Sequence, residues 1–278
     1  MTARAQRVWF ITGTSSGFGR CIAEEAIARG DCVVATARDP RTLSDLVARA
    51  PERVHAVRLD VTRAVEIASS VASALERFGA IDVLVNNAGF SVVGAVEETS
   101  DEDLRAIFEP MFFGAVALTR AVLPHMRARR SGAIVQITSV GGLVTSPGFG
   151  PYCAAKHALE AVTESLAGEV QPQGIRVLIV EPGAFRTSLF GQAFRTMPRM
   201  NAYESTVGAT RDWAASLAGA QAGDPAKAAR AIVDAVLAGS PTLRLPLGAD
   251  AVRSIREKLA RVSADLDATE SVAGATAF

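Results

Sequence analysis

The chain of 278 residues has only three cysteines, Cys21, Cys32 and Cys153, an odd number without the spacing of metal ligands. No metal site is expected. Cys21 and Cys32 read as small buried hydrophobes. Cys153 is read as filling space on a packed helix, with a reactive thiol as the alternative. The chain also lacks net charge: 29 lysines plus arginines balance 29 aspartates plus glutamates. Nothing draws it to nucleic acid or an anionic membrane, and no long block of like charge appears. No stretch approaches the ~20 apolar residues of a membrane span. The N-terminal apolar run, Val8 to Ile11, is too short for a signal peptide. The expected address is the cytoplasm. There is no internal repeat, and the three histidines are scattered, so none is assigned a catalytic role.

What the chain does have is apolar content, 49% of its residues, enough for a large core. Apolar, β-branched runs alternate with helical patterns. Strands are expected near 7–12, 32–36, 54–58, 81–85, 133–138, 175–180 and 242–246. Helices are expected near 17–29, 40–49, 63–78, 101–129, 152–170, 224–238 and 250–262. Such alternation implies an α/β fold, a parallel sheet with helices on both faces. Right-handed crossovers give the doubly wound order 3-2-1-4-5-6-7. One domain is expected over 1–262. Residues 184–223 interrupt the rhythm and carry Phe185, Leu189, Phe190, Phe194, Met197, Met200 and Tyr203. They read as a lid over a cleft, with extra core or a dimer contact as alternatives. The tail, 263–278, lacks amphipathic spacing and is expected to be mobile.

Three local patterns carry chemistry. The strand Val8–Ile11 runs into Thr12-Gly13-Thr14-Ser15-Ser16-Gly17-Phe18-Gly19-Arg20 and then a helical stretch. A glycine-rich turn between strand and helix suits a dinucleotide phosphate. Its backbone can approach the pyrophosphate, and the helix N-terminus supplies amide donors and positive dipole. Tyr152 and Lys156 stand four residues apart, so a helix places an ammonium beside a phenol. That charge is expected to lower the tyrosine pKa from its reference near ~10 and make it a usable acid and base. Ser139 lies thirteen residues before Tyr152.

With these features in order, the chain resembles the short-chain dehydrogenase/reductase family in its single-domain form. The resemblance covers about residues 6–248. It rests on the glycine-rich turn at 12–19, Asp60 after the third strand, Asn86-Asn87-Ala88-Gly89, Ser139, Tyr152 with Lys156, and Pro182-Gly183 with Thr187. The resemblance implies that Gly13, Ser15, Ser16, Gly17, Phe18 and Gly19 surround the cofactor phosphates and adenosine ribose. Asp60, with Val61, would meet the adenine, and Asn87, Ala88 and Gly89 would run beside the ribose. Pro182, Gly183 and Thr187 would meet the nicotinamide amide. Tyr152 would exchange a proton with the substrate oxygen, Ser139 would hydrogen-bond that oxygen, and Lys156 would hold the ribose and tune the tyrosine.

The end of the second strand separates NAD from NADP. Ala37 stands where NAD-preferring relatives carry an acid, and Arg38 follows it. A guanidinium clamps a phosphate bidentately, so NADP(H) is expected over NAD(H). Asp39 leaves an alternative open, since it could pair with Arg38 or replace the missing acid.

One position departs from the family. Its asparagine on the long fourth helix is replaced in Phe108-Glu109-Pro110-Met111 by methionine, which cannot reproduce amide hydrogen bonds. Pro110 would kink the helix and free a carbonyl. That carbonyl could serve the proton relay, or the relay is damaged and the enzyme slow.

The expected function is an oxidoreductase interconverting a ketone or aldehyde and an alcohol on a small lipophilic substrate. Phe90, Val92, Val93, Leu143, Val144, Phe149 and the lid aromatics are candidates for its pocket. The rival reading is an NADP(H)-binding regulator. A homodimer or homotetramer is expected through Ala115, Ala117, Leu118, Ala121, Ala161, Val162 and Leu166.

Overall fold

The computed structural model describes residues 6–190, 193–217, 219–239 and 242–276. The seven expected strands are all present in one parallel sheet. They are β1 Val8–Ile11, β2 Cys32–Ala37, β3 Val54–Arg58, β4 Val83–Asn86, β6 Gly132–Ile137, β7 Ile175–Pro182 and β9 Arg244–Leu247. Their order is β3-β2-β1-β4-β6-β7-β9, the doubly wound arrangement. The winding reverses between β1 and β4, so a crevice opens at the carboxyl ends of those strands.

The central strands are covered on both faces, which is why they read as continuous apolar runs. Side chains nonetheless alternate. Trp9 and Ile11 of β1 enter one core layer with Val33, Val85, Val135 and Ile232, while Val8 and Phe10 enter the other with Val34, Leu84, Val71 and Leu118. The first layer lies under helices α1 Gly17–Ala28 and α8 Pro225–Ala238. The second lies under α3 Ala64–Phe78 and α5 Ala115–Arg129. On α3, Ile67, Val71 and Ala74 repeat at helical spacing and all face inward. Gly79 ends that helix at φ 72°, a conformation glycine adopts without steric cost. The expected helix at 40–49 forms as a 3₁₀ turn, Pro40–Leu43, followed by α2 Ser44–Arg49.

The helix expected over 101–129 forms in three parts: α4 Asp101–Phe108, a π-helical turn Glu109–Gly114, and α5. Pro110 has no N–H to give the preceding turn, and the chain takes the wider π register at this point. Together the three parts are 29 residues with a mean hydropathy of 1.5 in an 18-residue window, enough by length and composition to cross a membrane. Here Ile107, Met111, Leu118, Val122 and Met126 bury that apolar character inside the fold.

Two short strands escaped the sequence pattern. β5 Ser91–Val93 and β8 Phe194–Thr196 pair in parallel as a separate two-stranded sheet. Three residues are too few to show a period. Through β8 the insertion at 184–223 is tied to the segment after β4. A second tie is the buried pair of Glu98 and Arg211, whose side chains are 2% and 4% exposed. Arg211 lies on α7, Ala209–Ser216, and also donates to the Met197 carbonyl at 2.8 Å. Of the insertion, residues 191, 192 and 218 and the side chain of Phe190 lie outside the described residues.

The tail requires a correction. α9 spans Ala249–Gly274, so the helix expected to stop at 262 continues twelve residues further. Beyond Leu259 its residues are exposed, which is why no amphipathic stripe marked it. Residues 277 and 278 lie outside the described residues.

Candidate active site

The crevice at the switch point is a cleft of about 600 Å³. The glycine-rich turn forms its floor. Gly13 and Gly17 adopt φ 67° and 59°, which a side chain would strain. Gly19 does not line the cleft. A β carbon there would fall 2.4 Å from the Gly13 carbonyl oxygen, so this glycine lets α1 approach the turn from behind. Asn87 locks the turn in place: its side-chain amide donates to the Thr12 and Gly13 carbonyls at 2.8 and 3.2 Å. Thr12 Oγ1 accepts from the Asn87 and Ala88 amides at 2.8 and 2.9 Å. Ser15, Ser16, Gly17 and Phe18 line the cleft around the N-terminus of α1, with Ala88 and Gly89 opposite.

At the end of β2, Ala37 and Arg38 line the cleft, and the Arg38 side chain is exposed. Asp39 pairs with Arg41, not with Arg38. It accepts from the Arg41 amide at 3.0 Å and from the Arg41 guanidinium at 2.8 Å, capping the 3₁₀ turn. Asp60 and Val61 line the same end. The Asp60 carboxylate accepts from the Thr62 amide and hydroxyl at 3.0 and 2.7 Å. Burial opposes its ionisation, but these bonds and nearby arginines hold its pKa below the usual carboxylate value.

The other end of the cleft brings together Ser139, Tyr152 and Lys156 with Pro182, Gly183 and Thr187. Ser139 ends the loop after β6; its Oγ accepts from the Gly141 amide at 3.0 Å. Tyr152 and Lys156 sit one turn apart on α6, Gly150–Val170, both buried. The Lys156 ammonium donates to the Ile137 carbonyl at 2.8 Å and stands 5.8 Å from the centre of the Tyr152 ring. The expected lowering of the tyrosine pKa is not found in this state. Burial pushes Tyr152 up to about 12, against a hydrogen bond shared with Ser139. Burial likewise brings Lys156 down to about 8, opposed by the charge of Glu160. Desolvation of the charged form is the largest influence on each group. At neutral pH the phenol is therefore a proton donor.

Met111 is 1% exposed. Its Cγ packs where a β carbon on Gly89 would come within 2.9 Å. It joins Ile107, Val92, Tyr152 and Cys153 in a small apolar cluster beneath the cleft. Beside it lies a void of about 10 Å³ bordered by Pro110, Met111, Asn86, Ile137 and Lys156. Cys153 is buried, and burial pushes its thiol up to about 11, which favours the packing reading over a reactive one.

The apolar pocket needs redrawing. Phe90 lines the cleft, joined by Phe185, Leu189, Ala193, Ala106 and Arg195. Val92 and Val93 are core residues with no exposure. Leu143, Val144 and Phe149 do not line the cleft; Phe149 packs edge-on against Trp213 and Tyr152 at 6.2 and 6.5 Å. Arg195 lies over the Phe90 ring at 4.3 Å and brings a cation to the cleft edge. Of the expected oligomer face, Ala115 and Leu118 point into the protomer instead.

Sequence reasoning missed two supports of the site, at Asp250 and around Glu160, and the contact between two residues it had named, Phe18 and Phe185. Asp250, at the start of α9, accepts from the Ala184 amide at 2.8 Å and crowds Gly183 so closely that a β carbon there would lie 2.2 Å from it. The Phe185 ring packs tilted against Phe18 with centroids 5.2 Å apart, joining the loop after β7 to the glycine-rich turn. Glu160, Glu181 and Arg244 cluster beneath Lys156. Glu160, Glu181 and Arg244 read in sequence as ordinary charges; only the crossing of β7, β9 and α6 unites them.

The geometry fits a dinucleotide, and comparison with known proteins agrees. A family model described as short chain dehydrogenase matches residues 7–218. Oxidoreductase BOA17 of Botryotinia fuckeliana (strain B05.10) is 40% identical over 247 residues, 88% of this chain and 90% of the relative. A short-chain dehydrogenase structure from Streptomyces avermitilis superposes with a TM-score of 0.93 at 50% identity, covering 99% of this chain and 100% of the other. A Burkholderia phymatum structure in complex with NAD gives 0.80 at 25% identity, covering 92% and 94%. One from Burkholderia cenocepacia J2315 in complex with NADP gives 0.71 at 25%, covering 97% and 96%.

Proposed function

The chain belongs to the short-chain dehydrogenase/reductase family and is an NAD(P)-dependent oxidoreductase acting on CH–OH and C=O groups; from that premise we propose that it prefers NADP(H) and interconverts a lipophilic ketone or aldehyde with its alcohol, using Tyr152 as the general acid and base. The observation that carries this reading is the convergence of Ser139, Tyr152 and Lys156 at one end of a cleft whose other end carries Arg38.

The residues present suit the dinucleotide. The turn at Gly13 and Gly17, with the N-terminus of α1 behind it, would hold the pyrophosphate. Arg38 would hold a ribose 2′-phosphate, since Asp39 is engaged by Arg41 and Ala37 offers no acid to repel it. Asp60 would meet the adenine, and Pro182, Gly183 and Thr187 the nicotinamide amide. The cofactor, when bound, supplies or accepts hydride at the carbonyl carbon.

The chain's own residues handle the oxygen and the proton. In reduction, Tyr152 gives its phenolic proton to the substrate oxygen; in oxidation it takes that proton back. Burial keeps this proton on the phenol at neutral pH. The Ser139 hydroxyl donates to the same oxygen and stabilises charge developing there. Lys156, held by the Ile137 carbonyl, brings positive charge beside the phenol and favours the phenolate that proton release creates. A relay that needs no asparagine at 111 would pass through the void of about 10 Å³ that the π turn at Pro110 borders beside Lys156. Phe90, Phe185 and Leu189 supply apolar walls for the substrate.

We also propose a homo-oligomer of closed symmetry. The helix faces left exposed carry Phe113 and Val162, 52% and 37% exposed, with Ala161, also exposed, beside Val162. The function is tested by following NADPH oxidation against diverse lipophilic carbonyl compounds, with NADH alongside. Turnover with NADPH and little with NADH supports the reading. A preference for NADH overturns the cofactor choice, and no turnover with any carbonyl overturns the reaction.

A further inference from the structure

Tyr152, Lys156, Glu160 and Glu164 recur every four residues on α6, so one stripe of the helix runs from the catalytic phenol away from the cleft. Glu160 is the unusual member. Its side chain is 3% exposed, and a carboxylate so deeply placed requires partners. Arg244 of β9 provides one, donating to Glu160 at 2.6 Å and to Glu164 at 2.5 Å. The same guanidinium bonds Glu181 of β7, whose side chain is 1% exposed. Two buried carboxylates thus flank one guanidinium.

The far oxygen of Glu160 is the informative one. Glu160 Oε1 is buried and has no hydrogen-bond partner among the described residues. It lies 1.8 Å from the point where a β carbon on Gly142 would be, so the carboxylate is wedged under the loop that carries Ser139. One turn back along the helix is the buried ammonium of Lys156. The titratable or charged groups around this pair are Tyr152, His157 and Glu164 on α6, Glu181 on β7, Arg244 on β9 and Asp250 on α9. Arg244 engages the three glutamates, and Asp250 is engaged by the Ala184 amide. Glu160 is the carboxylate that acts on Lys156, its charge favouring the ammonium that burial opposes.

We infer that Glu160, held in place by Arg244, is a positioning residue whose negative charge keeps Lys156 cationic, and so keeps the catalytic lysine able to tune Tyr152 and bind the cofactor. Glu181 has a different part. Burial and the adjacent Glu160 raise its carboxyl to about 7, so its charge is the less constant of the two buried carboxylates. The inference rests on the assignment of Tyr152 and Lys156 as the catalytic pair, but its test does not require turnover.

Only three lysines occur in the chain, Lys156, Lys227 and Lys258. Lysine labelled with carbon-13 at Cε therefore gives three resonances to titrate, and Lys156→Arg identifies one by its loss. In Glu160→Gln, the Lys156 midpoint is expected to fall by about one pH unit, the lower end of what an opposite charge nearby contributes. In Glu181→Gln it should move by less than half that. An unchanged midpoint in folded Glu160→Gln, or an equal fall in both variants, overturns the inference. The wild type gives an independent check should Glu160→Gln not fold. There Lys156 must remain charged at pH 7, and a wild-type midpoint below pH 7 overturns the proposal. Failure of the functional reading would instead show as activity that survives Tyr152→Phe, with these midpoints unaffected.

Discussion

Asp39 turns away from the cleft and closes on Arg41, accepting from both its amide and its guanidinium. With Asp39 engaged in this way, the proposal is that Arg38 receives a ribose 2′-phosphate at the end of β2. Losing a charge-assisted bidentate contact costs on the order of 2–3 kcal/mol, roughly 30- to 150-fold in affinity. Arg38→Ala should therefore weaken NADPH binding by about that factor and leave NADH nearly unchanged. Titration calorimetry with both cofactors checks this; an equal loss for the two would contradict it.

Met111 sits in an apolar cluster, packed on Gly89. Met111→Asn places an amide among side chains that offer it little hydrogen bonding, at a cost of about 1–3 kcal/mol. The melting temperature should fall, while kcat should change only modestly because the relay has another route. A hundredfold rise in kcat would show that the native relay is broken and would favour the regulatory reading.

The central strands were legible because strands buried on both faces leave unmistakable apolar runs, and the half-buried edge strands β3 and β9 fell where the alternation with helices called for them. The glycine-rich turn, Ser139, Tyr152 and Lys156 were legible because their spacing is itself the chemistry. What remained hidden depends on which way a side chain faces. Val92 and Val93 are as apolar as any pocket residue, yet β5 turns them into the core. Ala115 and Leu118 belong to a helix with two apolar sides, and the protomer takes theirs. Glu160 on a helix reads as a solvated charge until β7 and β9 bring Glu181 and Arg244 against it. The tyrosine pKa moved opposite to expectation because spacing reports the neighbouring charge but not the desolvation.

Stability should depend on pH through Glu181. Its folded pKa, about 7, lies above the value of 4.5 for an ordinary glutamate. A raised folded pKa means the stabilising contribution is complete below about 4.5 and is lost as pH rises through 7. Glu181→Gln stays neutral and removes this dependence. Between pH 5 and pH 8, the melting temperature of the wild type should fall more than that of Glu181→Gln. Parallel falls would contradict the assignment.

The Glu98–Arg211 pair anchors the insertion to the segment after β5. Breaking a buried pair from one side leaves an uncompensated charge and costs about 3–5 kcal/mol. Arg211→Met should lower the denaturation midpoint accordingly and speed proteolysis within 194–216. Wild-type stability together with wild-type proteolysis would show that the pair does not hold the insertion.

The central claim is that Tyr152 supplies the proton in carbonyl reduction, and Tyr152→Phe tests it most directly. NADPH oxidation should be followed with the best carbonyl substrate, alongside NADPH binding by the same variant. Removing a general acid typically costs 10²–10⁴-fold. The account predicts a kcat loss in that range with cofactor binding retained; full activity in Tyr152→Phe would contradict it.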